Sequence, residues 1–123
     1  MTILYSLIII LNMLAEFGNI ELSVGVANQE AIDSSFQPLP MRELTPQAGE
    51  IAGLMKLSPA VVVQVNLDRA KVERFRARLR YDVQRELGYF VRFHTRVAPT
   101  DNPDTHHILF SFKDIRDLRS KKQ

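Results

Sequence analysis

Between Ala60 and Lys113 the apolar positions change period twice. Val61, Val63, Val65 and Leu67 alternate with Gln64 and Asn66, which predicts a strand over 60–67. Val72, Phe75, Leu79, Val83 and Leu87 then recur at spacings of three and four, the single stripe of an amphipathic helix over about 69–87. Asp68 stands where a helix needs an N-terminal cap, and Gly88 where it needs a left-handed residue past its end. Alternation returns at Tyr89, Val91, Phe93, Thr95 and Val97, a strand over 89–97 with Phe90, Arg92, His94 and Arg96 on its other face. It returns again at Ile108, Phe110 and Phe112, a strand over 107–113 that turns His107, Ser111 and Lys113 the other way, with Leu109 an apolar exception among them.

Upstream the pattern is weaker. Ile3–Leu14 is apolar on every side, which at about a dozen residues is short of the roughly 20 needed to span a bilayer. It lacks the basic start of a signal peptide, and its isoleucines favour a buried strand over a helix. A run so apolar is expected to be covered, if necessary by a second copy of the chain. Ile20, Leu22, Val24 and Val26 alternate with Glu21, Ser23 and Gly25 as a half-buried strand. Asn28–Glu43 reads as a loop interrupted by Pro38 and Pro40, with 37–40 extended. Thr45–Leu57 reads as a short helix with Pro46 at its first position and Ile51, Leu54 and Met55 on its apolar face. The basic tail from Asp114 is expected to form a helical turn or two and fray.

These elements predict a single α/β domain: a mixed sheet with a β-α-β-β core in the C-terminal two thirds, behind an N-terminal strand or helix portion. The connection from 60–67 through the helix to 89–97 is a parallel crossover, and the last two strands an antiparallel hairpin. With the long helix on one face, the other face collects Gln64, Asn66, Arg92, His94, Arg96, His107 and Lys113, a basic platform with Phe90 at one end. The alternative puts the 45–57 helix on that face, which moves Arg92 and Arg96 to an edge or against an acidic partner.

A chain of 123 residues buries enough surface to fold without staples. It has no cysteine, which excludes disulfides, zinc–thiolate sites and thiol nucleophiles and fits a cytoplasmic protein. The net charge of +2 conceals a division. Residues 1–68 carry two basic against seven acidic side chains, net −5, and residues 69–123 carry fourteen against seven, net +7. Such a division predicts a polyanion or an acidic protein as partner of the C-terminal half, or attraction between the halves.

No phosphate loop, dinucleotide fingerprint, nucleophile elbow or zinc-protease helix is present, and no cofactor is expected. Asp101, Asp104, His106 and His107 have ligand chemistry, but neighbouring histidines on a strand point to opposite faces, so no metal site is expected. The surface that remains is basic. Lys71, Arg74, Arg78 and Arg85 form a ridge with Tyr81 on the outer face of the helix, and Phe90, Arg92, His94 and Arg96 combine charge with a ring on one strand face. Clustered cations bind phosphates, and rings stack on unpaired bases. The simpler account of the ridge is a solvated face, relieved by Glu73 four residues beyond Arg69 and Asp82 four beyond Arg78. The resulting expectation is a non-enzymatic protein that binds DNA or RNA through eight residues: Lys71, Arg74, Arg78 and Arg85 of the ridge and Phe90, Arg92, His94 and Arg96 of the strand face. Its alternative is a protein–protein adaptor or assembly subunit that uses the apolar N-terminus, including self-association through residues 1–14, and the basic helix.

Overall fold

The computed structural model describes residues 17, 20–27, 31–32, 37–39, 44–113 and 119–120. The expectations for residues 3–14 and for 114–118 lie outside them. In chain order the elements are β1 (Leu22–Ala27), β2 (Ala31–Ile32), β3 (Gln37–Leu39), α1 (Leu44–Met55), β4 (Ala60–Val65), α2 (Arg69–Leu87), β5 (His94–Pro99), β6 (His106–Ser111) and β7 (Arg119–Ser120). The protein is a small mixed α/β domain. Its sheet runs β5-β6-β4-β1-β2-β7, with β3 also paired to β1.

α2 forms where the stripe predicts it. Val72, Phe75, Leu79 and Val83 are buried, and Asp68 Oδ1 accepts the Lys71 backbone N–H at 3.0 Å, satisfying one of the donors that the first turn leaves open. Gly88 has φ +110°, where a side chain would be strained, and its N–H donates to Gln84 O at 2.8 Å. α1 packs beside α2 on the same side of the sheet. Ala48, Ile51 and Met55 share one core with Val61, Val63 and Val65 of β4, Ile108 and Phe110 of β6, and the α2 stripe. The placement of α1 over the opposite face is therefore not the one adopted.

β4 and β5 each pair antiparallel with β6, so they run parallel to each other as the crossover requires. They are not neighbours, because β6 fills the gap between them. The four central strands β5-β6-β4-β1 are antiparallel throughout, and the parallel pairing lies between β2 and β7.

Three expectations are corrected. The stretch 28–43 is not only loop: Gln37–Leu39 pairs with β1, and Pro38 is accommodated opposite Ser23 in that short ladder. Arg119–Ser120, in the part of the tail expected to fray, pairs with β2. The third concerns the sheet face away from the helices. Val62 and Leu109 are fully buried there, and His107 and Ser111 nearly so. This face is closed at its centre, where the alternation of polar positions predicted an open platform.

Candidate functional site

The strand predicted over 89–97 begins only at His94. Residues 88–93 form a connector with its own bonds. Val91 N–H donates to Gly88 O at 3.2 Å, closing a turn with Tyr89 and Phe90 at its centre. The Gln84 side-chain amide reaches back to both ends of that turn, donating to Gly88 O at 2.6 Å and Val91 O at 2.8 Å. Phe93 then plugs into the core, stacked on Phe110 at 6.4 Å, with the Arg80 guanidinium 5.0 Å above its ring. Between these anchors Phe90 is 99% exposed and Tyr89 75%.

Several chain ends meet beside this connector. Ser111 closes β6 opposite His94, the first residue of β5, and its hydroxyl donates to Pro59 O at 2.6 Å, just ahead of β4. The C-terminal ends of α1 and α2 lead into β4 and β5 respectively, so both finish at the same edge. Five of the six exposed large apolar side chains among the described residues belong to these segments: Leu57, Tyr89, Phe90, Val91 and Phe112. Lys56, Arg85, Arg92, His94 and Lys113, on the same or adjoining segments, are exposed as well. The sixth, Tyr81, is on α2 with the Arg85 guanidinium 5.9 Å over its ring.

The eight residues singled out from the sequence thus fall into separate groups. Arg85, Phe90, Arg92 and His94 come together at this end. Phe90 and Arg92 are on the connector, not on a strand face. Arg96 lies on β5, half-buried and opposite Leu109 in the ladder. Lys71 and Arg74 are near the other end of α2, where a rise of 1.5 Å per residue puts them roughly 15–20 Å from Arg85. Arg78 is half-buried and, like Arg96, engaged within the fold. Lys56, Leu57 and Phe112 are the members that periodicity missed, because the helix predicted to Leu57 ends at Met55 and the strand predicted to Lys113 ends at Ser111, which leaves these side chains and Lys113 beyond the element ends.

Other arginines hold the scaffold together. Arg76 donates to Glu73 Oε2 at 3.0 Å and to Thr95 Oγ1 at 2.9 Å, linking α2 to β5. Glu73 therefore serves Arg76 one turn along, not Arg69 as its spacing implied. Asp82, between Arg78 and Arg85, has its carboxyl held above the usual 3.8 mainly by burial, against the pull of both guanidinium groups. Arg74 and Arg92 have no ion-pair partner among the described residues.

The two adjacent histidines do point to opposite faces. His106 Nδ1 donates to Leu67 O at 2.8 Å on the helix side, and His107 Nε2 donates to Gln64 Oε1 at 3.0 Å on the other. Asp101 and Asp104 lie in the exposed loop 100–105. There Asn102 Oδ1 accepts the Asp104 N–H at 2.9 Å, and Thr100 Oγ1 donates to Thr105 O at 2.8 Å. Among the described residues no three His, Asp or Glu side chains are placed to hold a metal ion, and no helix is long and apolar enough to cross a membrane.

His107 makes the fold sensitive to acid. Burial, and secondarily the charge of His106, holds its imidazole below the ordinary 6.5. The folded state thus favours the neutral ring, while the unfolded chain takes up a proton near 6.5. This contribution to stability is complete above about pH 6.5 and is lost as pH falls through that value towards the depressed folded one. Asp82, shifted upward, contributes with the opposite sign at pH values above 3.8. Urea midpoints at about pH 7.5 and about pH 5.5 should fall for the wild type and fall less for His107→Gln. Equal falls in the two proteins would remove His107 as the cause.

Compared with protein-family models the chain matches none, and no curated protein matches it.

Proposed function

We propose that this is a non-enzymatic nucleic-acid-binding protein whose principal contact surface is the end of the domain where α2 passes into β5. One observation carries the reading: Arg85, Arg92 and His94 are exposed together there, and Arg92 has no carboxylate partner among the described residues. Exposed guanidinium groups at one end of a domain are what phosphate binding needs, because affinity comes largely from the counterions that the phosphates release. Lys71 and Arg74, further along the helix, extend the same surface for a longer strand.

The test is a titration of a labelled single strand at several salt concentrations. Two phosphate contacts, from Arg85 and Arg92, predict a slope of log K against log salt of about −1.4, at roughly −0.7 per contact on a single strand. The double variant Arg85→Ala, Arg92→Ala should bind more weakly, with a slope shallower by about 1.4. Binding that ignores salt, or a variant with unchanged slope, would sink the reading. A second reading, an adaptor for an acidic protein, is favoured by Leu57, an 82% exposed aliphatic side chain that phosphate chemistry does not use. It is the reading left standing if no oligonucleotide binds at low salt.

A further inference from the structure

We infer that the Tyr89–Phe90 turn is a base-stacking tip, so that the preferred ligand is a nucleic acid with unpaired bases. This rests on the nucleic-acid reading above and names the ligand class of the same site.

The turn is built against ordinary economy. Central turn positions favour Gly, Pro, Asn and Asp, whose backbones or side chains suit them and which lose nothing in water. Here both are aromatic, and Phe90 is almost entirely exposed. Nor is the turn loose. Gly88 supplies the positive φ at its start, the Gln84 amide holds its first and last carbonyls, and Phe93 anchors the chain that leaves it. Val91 Cγ2 sits 3.8 Å from where a Cβ on Gly88 would be, so the two ends of the turn are in close approach. A ring held on such a frame has little backbone freedom left to lose when a ligand arrives.

The surroundings specify which ligand. An exposed apolar cluster alone would suit many partners, but Lys56, Arg85, Arg92 and Lys113 are exposed on the segments that carry this one or adjoin it. Among the described residues, Glu86 is an exposed carboxylate at this end of α2, and it lies towards Gly49 of α1, 3.9 Å from where a Cβ on that glycine would stand. A flat apolar face with exposed cations on its own and adjoining segments complements a base attached to phosphates. In a duplex the base faces are already stacked on one another, so only a single strand, loop or frayed end can offer one to Phe90.

The chain has no tryptophan, which permits a clean test. Phe90→Trp places a sole indole reporter on the tip, and the exposure of Phe90 means that neither this variant nor Phe90→Ala disturbs the core. Oligothymidine is titrated into both variants and the wild type, alongside a duplex of the same length and an abasic strand with the same phosphates. The expected result is quenching of the indole by oligothymidine and none by the abasic strand. Phe90→Ala should bind oligothymidine roughly 5- to 100-fold more weakly than wild type, with its salt slope and its duplex affinity unchanged. Salt-dependent binding with no quenching, or with no loss in Phe90→Ala, overturns the stacking tip and leaves the nucleic-acid reading intact. Absence of salt-dependent binding to any of the three oligonucleotides overturns both.

Discussion

Phe75→Ala is expected to lower the unfolding free energy by about 3–5 kcal/mol, the larger of the two losses argued here. Phe75 is fully buried at the middle of the α2 stripe, in the core shared by both helices and the sheet. Its ring meets Phe17 edge-on, centroids 5.5 Å apart and planes at 86°, so the substitution removes an aromatic pair as well as a buried side chain. A helix cannot close the resulting cavity without drawing α1 inward along with it. Since domains of this size are stable by about 5–15 kcal/mol, the substitution removes a large share of the total. Urea or guanidinium unfolding checks this, with the slope unchanged and the midpoint strongly reduced. A loss below about 1 kcal/mol would mean that the site collapses freely and that α2 is not seated as described.

Leu109→Ala should cost about 2–5 kcal/mol, although the residue stands on the face of β6 away from both helices. Alternation along this strand places it with His107 and Ser111, among positions expected to be wetted. In the folded protein it is fully buried, with Val62 beside it in the β4 ladder and Arg96 opposite in β5. On an open face the same truncation would change stability by no more than about 0.5 kcal/mol. Denaturant unfolding of this one variant therefore decides whether the second face of the sheet is closed. A result near zero would restore the open platform, with His107 and Arg96 again available to a ligand.

The two losses mark what was legible and what was not. The α2 stripe, its Asp68 cap and its Gly88 end follow from spacing alone, because a helix fixes which residues share a face whatever lies beyond it. The closed face was legible only in part. Val62 within the continuous run Ala60–Val65, and Leu109 among polar neighbours, are what a strand buried on both sides looks like. Two residues are too few to override an alternation that runs through all the rest.

The connector shows the opposite failure. Tyr89, Val91 and Phe93 satisfy the period of a strand, yet only Phe93 reaches the core. Period two is met by any extended chain, paired or not. Pairing here depends on where β6 ends, and β6 stops at Ser111, opposite His94. Nothing in residues 88–93 themselves records that limit.

The candidate site divides along the same line. Local sequence determined the long helix and both its ends, the concentration of positive charge after residue 68, and the presence of Phe90, Arg92 and His94 close together in the chain. Only the tertiary structure decided that β6 enters between β4 and β5, that α1 joins α2 on one side, and that Arg96 and His107 are drawn into the fold. It also decided that Leu57, Phe90 and Phe112, up to 55 positions apart in the chain, emerge at one end of the sheet. The reason is physical: period and capping act within a few residues and are written locally, whereas strand order and the closing of a second face are set by contacts between segments that no local pattern encodes.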